Sequence, residues 1–135
     1  MALLLVDPRA AARPRALVAE SEPLACWAVA RALEPLGFDV TVAATREEAC
    51  GHLFAGGFDY VVMSCRLGDC DMSDVVGELL RFSTSSRVTL LCSEECGGAC
   101  RRWAGRSLVL QRPFPLGDVL EGARAALAAR SAASA

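Results

Sequence analysis

The sequence predicts an α/β fold: a doubly wound parallel sheet with helices on both faces. Two observations predict it. Short apolar runs alternate with segments that carry helix caps and helical apolar spacing, five of each along the chain. The best-defined run, Phe58 to Met63 (FDYVVM), lies between Gly56-Gly57 and a Gly/Asp-rich loop. It has the unbroken hydrophobicity of a strand buried on both faces. Right-handed crossovers then put helices on the two sides of the sheet. At 135 residues the chain suffices for one compact domain, not two.

Residues 1–14 read as an N-terminal extension: apolar ALLLV, a turn at Asp7-Pro8, then a linker-like ARPR. It is a frayed arm, or alternatively an edge strand or partner-binding arm. The domain spans 15–129. Ala16 to Ala19 is the first strand. Ser21 is a fair N-cap and Pro23 belongs in the first turn of a helix that runs to about Leu36 and stops at Gly37. Phe38 to Ala43 is the second strand. Thr45 caps a helix through about Phe54, with Glu47 and Glu48 in its first turn. Ser64 then falls where the third strand meets its loop, the edge at which open α/β sheets collect ligands.

A helix is predicted over Asp71 to Phe82, with Val75, Val76, Leu79 and Leu80 as its apolar stripe. Arg87 to Leu91 is the fourth strand. Glu94 to Trp103 is a short helix weakened by Gly97-Gly98, and Trp103 should wedge the loop onto the domain. Leu108 to Leu110 is the fifth strand. The chain breaks at Gln111-Arg112-Pro113-Phe114, and Pro115 to Ala128 is the last helix. Residues 130–135 read as a disordered tail.

The net charge is −2 and no long basic stripe exists, which disfavours nucleic acid. No segment is long and apolar enough for a membrane span, and Met1 to Val6 is too short for a signal peptide. The cysteines are seven: Cys26, Cys50, Cys65, Cys70, Cys92, Cys96 and Cys100. An odd number without a secretory signal points to free thiols in a reducing cytoplasm.

Three pieces together, ALVAESEP, FDYVVMSCRLGDCD and VLQRPF, with the spacing from Gly105 to Arg112, resemble the CheY-like receiver domain of bacterial two-component response regulators. The resemblance covers about residues 15–128. It implies a flavodoxin-like sheet of strand order 2-1-3-4-5. It also implies an aspartate phosphorylated at the end of the third strand and two acids that hold Mg²⁺ after the first. A Thr or Ser ending the fourth strand and a Lys before the proline then contact the phosphoryl oxygens, and an aromatic on the fifth strand reports the state.

Here the matching positions are Ser64, the pair Glu20 and Ser21, Cys92, Arg112 and Val109; Gly68 replaces a usual proline and Met72 a usual glycine. An acyl phosphate needs a carboxylate nucleophile. Ser64 has no evident base, since His52 falls in the second helix. Mg²⁺ wants hard oxygen ligands, and Glu20 is the single carboxylate at the three matched positions. Asp69 and Asp71 read as turn and cap residues.

The expectation is therefore a stand-alone pseudo-receiver, not an enzyme, with no cofactor and no metal. It would act as a phosphorylation-independent interaction module in bacterial signalling, binding a kinase, scaffold or regulator, or a second copy of itself. Its degenerate pocket would be Glu20, Ser21, Ser64, Cys92 and Arg112, with Glu20 paired to Arg112. Alternatives are a small-anion or thiol-redox sensor using Arg112 and a Cys92 whose pKa that arginine lowers, or phosphorylation at another acid. Cys92, Cys96 and Cys100 form C-x3-C-x3-C; they are small buried hydrophobes, or alternatively metal ligands with Cys65 or Cys70. Trp27 and Arg31 face away from the apolar side of the first helix and mark the interaction surface.

Overall fold

The computed structural model describes residues 12–82, 85–96 and 98–134, so the predicted extension lies outside the described residues except for its last three. Five parallel strands form the sheet: β1 (Arg15–Ala19), β2 (Asp39–Ala43), β3 (Tyr60–Ser64), β4 (Arg87–Cys92) and β5 (Leu108–Gln111). Their order is β2-β1-β3-β4-β5, as the resemblance implies. Among the described residues the α-helices are α1 (Pro23–Leu33), α2 (Arg46–Ala55), α3 (Ser73–Phe82) and α4 (Leu116–Ser134).

All five residues of β3 are buried, because it runs between β1 and β4 with helices over both faces. Alternation sorts its side chains. Val61 and Met63 join Leu17, Leu90 and Val76 of α3 in one core layer. Tyr60 and Val62 join Val18, Leu91, Leu33 of α1 and Val119 of α4 in the other. Each such valine contributes about 1.5–3 kcal/mol on burial.

The caps explain most boundaries. Thr45 Oγ1 accepts the Glu48 N–H, as predicted. After α1 a 3₁₀ turn carries the chain to Gly37, whose φ of 98° ends it in the left-handed region. The cap of α1 is Glu22 and not Ser21: its carboxylate accepts the Leu24 and Ala25 N–H groups at 3.3 and 2.6 Å.

Three elements depart from the sequence reading. The loop after β3 folds into a tiny antiparallel hairpin, Arg66–Leu67 against Cys70–Asp71, which delays α3 to Ser73. The predicted helix over Glu94 to Trp103 is two 3₁₀ turns, Glu94–Cys96 and Ala99–Trp103, with Gly98 at φ 82° between them. Glycine disfavours a continuous helix there and supplies the bend. The last helix runs on to Ser134, so the stretch expected to be a disordered tail is helical that far. Its alanines are strong helix formers, and Arg130 lies 3.7 Å from Asp59.

One buried polar cluster ties the layers together. The Tyr60 hydroxyl donates to the Val119 carbonyl at 2.9 Å and sits 2.6 Å from Thr89 Oγ1. Having one proton, it must accept from Thr89. Burial pushes the Tyr60 phenol up to about 12, against a smaller opposing effect of the Thr89 bond. A raised folded-state pKa means stability that is intact below the unfolded value of about 10 and lost as pH rises through about 12. Denaturant melts across that window should lose stability more steeply in the wild type than in Tyr60→Phe; parallel pH profiles would show that Tyr60 is not the titrating group.

Candidate functional site

The C-terminal ends of β1, β3 and β4 and the segment after β5 converge on one edge of the sheet. Glu20 follows β1 directly and is 3% exposed. Its Oε1 accepts the Glu22 N–H at 3.0 Å, and its Oε2 accepts the Ser64 hydroxyl at 2.5 Å. The Arg112 guanidinium donates to the same Oε2 and reaches Ser64 Oγ at 2.8 Å. Arg112 is held from two further sides: its backbone N–H donates to the Cys92 carbonyl at 2.8 Å, and its guanidinium lies 5.7 Å from the Phe114 ring centroid. The pairing of Glu20 with Arg112 is thus the expected one.

Ser21 also belongs here, its hydroxyl accepting the Gly68 N–H at 3.1 Å and so pinning the loop after β3. Together with Ser93 and Leu91 these residues line an open cleft of about 290 Å³. Within it both oxygens of the buried carboxylate and the Ser64 hydroxyl already have protein partners. The arrangement holds a charge in place and leaves no activated nucleophile.

Cys92 is the exception among the five matched residues. It ends β4 with its side chain in the layer of Met63 and Leu90, not in this cleft. The cleft residue is its neighbour Ser93, whose buried hydroxyl has no hydrogen-bond partner among the described residues. The alternation of β4 sends Cys92 and Ser93 to opposite faces, which matching by position did not consider. A thiol pKa lowered by Arg112 is likewise corrected, because burial pushes the Cys92 thiol up to about 11. Val109 is half-buried against the same layer.

On α1 the predicted face is exposed. Trp27 is 62% and Leu24 70% exposed. The Arg31 guanidinium lies 5.9 Å from the Trp27 ring centroid and 3.4 Å from Glu34. An exposed aromatic pair, Phe54 and Phe82, borders a groove between α2 and α3 that sequence reading missed. Phe54 is the penultimate residue of α2 and Phe82 the last of α3, where apolar periodicity carries little information. That groove is bridged at one end by a bidentate contact from Arg46 to Asp74 at 2.9 and 2.6 Å. Trp103 packs as predicted, against the core layer of α3.

No family model matches the sequence, and no curated protein matches it. Solved structures do match. A CheY-like response regulator receiver domain protein from Methanospirillum hungatei superposes with a TM-score of 0.74 at 18% identity, covering 89% of this chain and 98% of that one. The non-phosphorylated HemR receiver domain from Leptospira biflexa gives 0.72 at 21%, with 85% and 94% covered. A structure described as an adenylate cyclase from Rhodopirellula baltica gives 0.75 at 16%, with 90% and 93% covered. No described helix is long and apolar enough to cross a membrane.

Proposed function

The chain has the fold of a CheY-like response regulator receiver domain, and on that fold we propose a signalling module that binds its partner without being phosphorylated. The observation that carries the reading is the closed triangle of Glu20, Ser64 and Arg112 at the end of β3. Where a receiver presents an aspartate, this chain presents a hydroxyl that donates to the neighbouring acid.

Mg²⁺ does not fit this donor set. The ion needs near-octahedral oxygen ligands that usually include one or two carboxylates. The cleft holds Glu20 with both oxygens engaged, one of them by a cation, and Glu22, whose carboxylate caps α1. No phosphoryl step is therefore assigned. The partner surface in this reading is the exposed face of α1, with Trp27 and Arg31 as anchors and Leu24 one turn earlier. Tryptophan and arginine dominate binding energy when an interface buries them.

Incubation with acetyl phosphate and Mg²⁺ should leave no hydroxylamine-labile phosphoryl mass on the protein. Ser64→Asp alone should not restore labelling, because Ser21 still lacks a carboxylate and Glu20 remains tied to Arg112. Labelling of the wild-type chain overturns phosphorylation independence.

Affinity capture should recover the same partners with and without Mg²⁺ and beryllofluoride. Trp27→Ala should weaken that capture at least about tenfold, as loss of about 2 kcal/mol at a buried anchor requires. Its melting temperature should stay within about 2 °C, since the ring is exposed. Undiminished capture by a folded Trp27→Ala moves the surface elsewhere, and the Phe54–Phe82 groove is then the next to test.

A further inference from the structure

The sulfurs of Cys65, Cys92, Cys96 and Cys100 all lie within 4.8 Å of one another, and we propose that they bind a single Zn²⁺ ion as a structural four-thiolate site. Cys65 directly follows β3 and Cys92 ends β4, two strands paired in register through Ser64 and Leu91. Cys96 and Cys100 come from the two 3₁₀ turns that replace the predicted helix. The bend at Gly98 lets three cysteines of a C-x3-C-x3-C stretch fold back on a fourth from another strand, which helical spacing did not anticipate.

The spacing suits one tetrahedral ion. With Zn–S bonds of about 2.3 Å, sulfurs at tetrahedral corners stand about 3.8 Å apart. A set within 4.8 Å needs only a small contraction to close on one ion. Four soft sulfurs in a tetrahedron favour zinc or iron, while hard Mg²⁺ and Ca²⁺ need oxygen.

The surroundings suit a bound metal. Cys65, Cys92 and Cys100 are buried and Cys96 is half-buried, leaving one side open for entry. The Cys96 thiol donates to the Ser93 carbonyl at 3.0 Å, which fixes the position of its sulfur; metal binding releases that proton. Zn²⁺ with four thiolates carries a net charge of −2, and the cleft beside the cluster is lined by two arginines, Arg66 and Arg102, against one carboxylate, Asp71.

Packing supplies the need. Among the described residues between Ser93 and Ser107 there is no α-helix, and only Cys100 is a buried hydrophobic side chain. Such a segment has little apolar area to hold it down, the situation in which small folds add a metal or a disulfide. Binding breaks four S–H bonds, forms four Zn–S bonds and releases four protons to solvent; no electron is transferred.

The test uses the full chain, purified under reducing conditions without chelators and supplied with Zn²⁺. Elemental analysis and native mass spectrometry should find one zinc per chain. A thiol reagent should modify Cys26, Cys50 and Cys70 in the native protein, and all seven cysteines only once a chelator is added. Co²⁺ in place of Zn²⁺ should give the intense visible bands of a tetrahedral thiolate site.

A residue that merely orients a ligand is worth about 10–100-fold in metal affinity. Cys65→Ser and Cys96→Ser should therefore each weaken binding by at least about 100-fold, and Cys50→Ser should leave it unchanged. Zinc below about a tenth of an equivalent, seven reactive thiols without chelator, or disulfides among the four would each overturn the site. Those wild-type measurements decide it even if a serine variant fails to fold.

Discussion

Arg112→Ala is expected to lower the unfolding free energy by about 3 kcal/mol, among the largest effects of any single substitution in this domain. The variant leaves Glu20, 3% exposed, without its cation, and breaking a buried ion pair from one side costs about 3–5 kcal/mol. The lower end applies because the Arg112 side chain is 31% exposed, so water can reach the space it leaves. The hydrogen bonds from Ser64 and from the Glu22 backbone remain and limit the loss. In melting temperature this is about 10–15 °C for a domain of this size.

Glu20→Gln in the Arg112→Ala background should recover at least half of the loss, because the neutral amide no longer needs a cation. A double-mutant cycle by denaturant titration checks this. If Arg112→Ala melts within about 2 °C of the wild type, Glu20 is solvated in solution and the triangle is not a stability element.

Gly122→Ala is the second large effect and has the opposite sign from what helix propensity suggests. Gly122 lies within α4, where alanine ordinarily stabilises by about 1 kcal/mol. A Cβ there would stand 2.5 Å from the Tyr60 hydroxyl and 2.7 Å from Thr89 Oγ1. Neither can swing away: the tyrosine is fully buried and its hydroxyl is bonded to both Thr89 and Val119. Overpacking of this kind costs about 1–3 kcal/mol. With contacts this short the cost lies toward the upper end, and the net expectation is a destabilisation of up to about 2 kcal/mol, read as a lower urea midpoint with an unchanged slope. Gly51→Ala is the control, since its Cβ meets nothing within 4 Å in α2 and the variant should gain up to about 1 kcal/mol. A stabilised Gly122→Ala would show that α4 can shift away from the sheet at little cost.

The strands were legible because each is a compact apolar run with punctuation beside it, while their order came from the resemblance to receiver domains. Phe58 to Met63 between two glycines and a turn is the clearest case, and Thr45 and Gly37 marked helix ends by chemistry alone. The ion pair of Glu20 and Arg112 was legible because a buried carboxylate at a strand end needs a cation.

What was not legible depends on direction and on non-local contact. Cys92 and Ser93 differ by one step along β4, and the pleat decides which of them faces the cleft. The four sulfurs meet because Cys65 joins from another strand, a contact no spacing encodes. The break at Gly98 was signalled by composition, yet whether it weakened a helix or divided it depended on tertiary packing. The closeness of Gly122 to Tyr60 is a matter of helix position over the sheet, which local sequence does not carry.

The Tyr60 hydroxyl also bears on the order in which the domain comes apart. It fastens α4 to β3 and β4 at a single buried point, so the C-terminal helix cannot peel off without exposing a polar cluster at the centre of the sheet. The helix and the two central strands should therefore open as one cooperative unit, with amide protons of Val61, Val62 and Leu90 exchanging at the rate of global unfolding. The crossover from Ser93 to Ser107 shares none of that fastening, and its amides set the floor of protection in the metal-free chain.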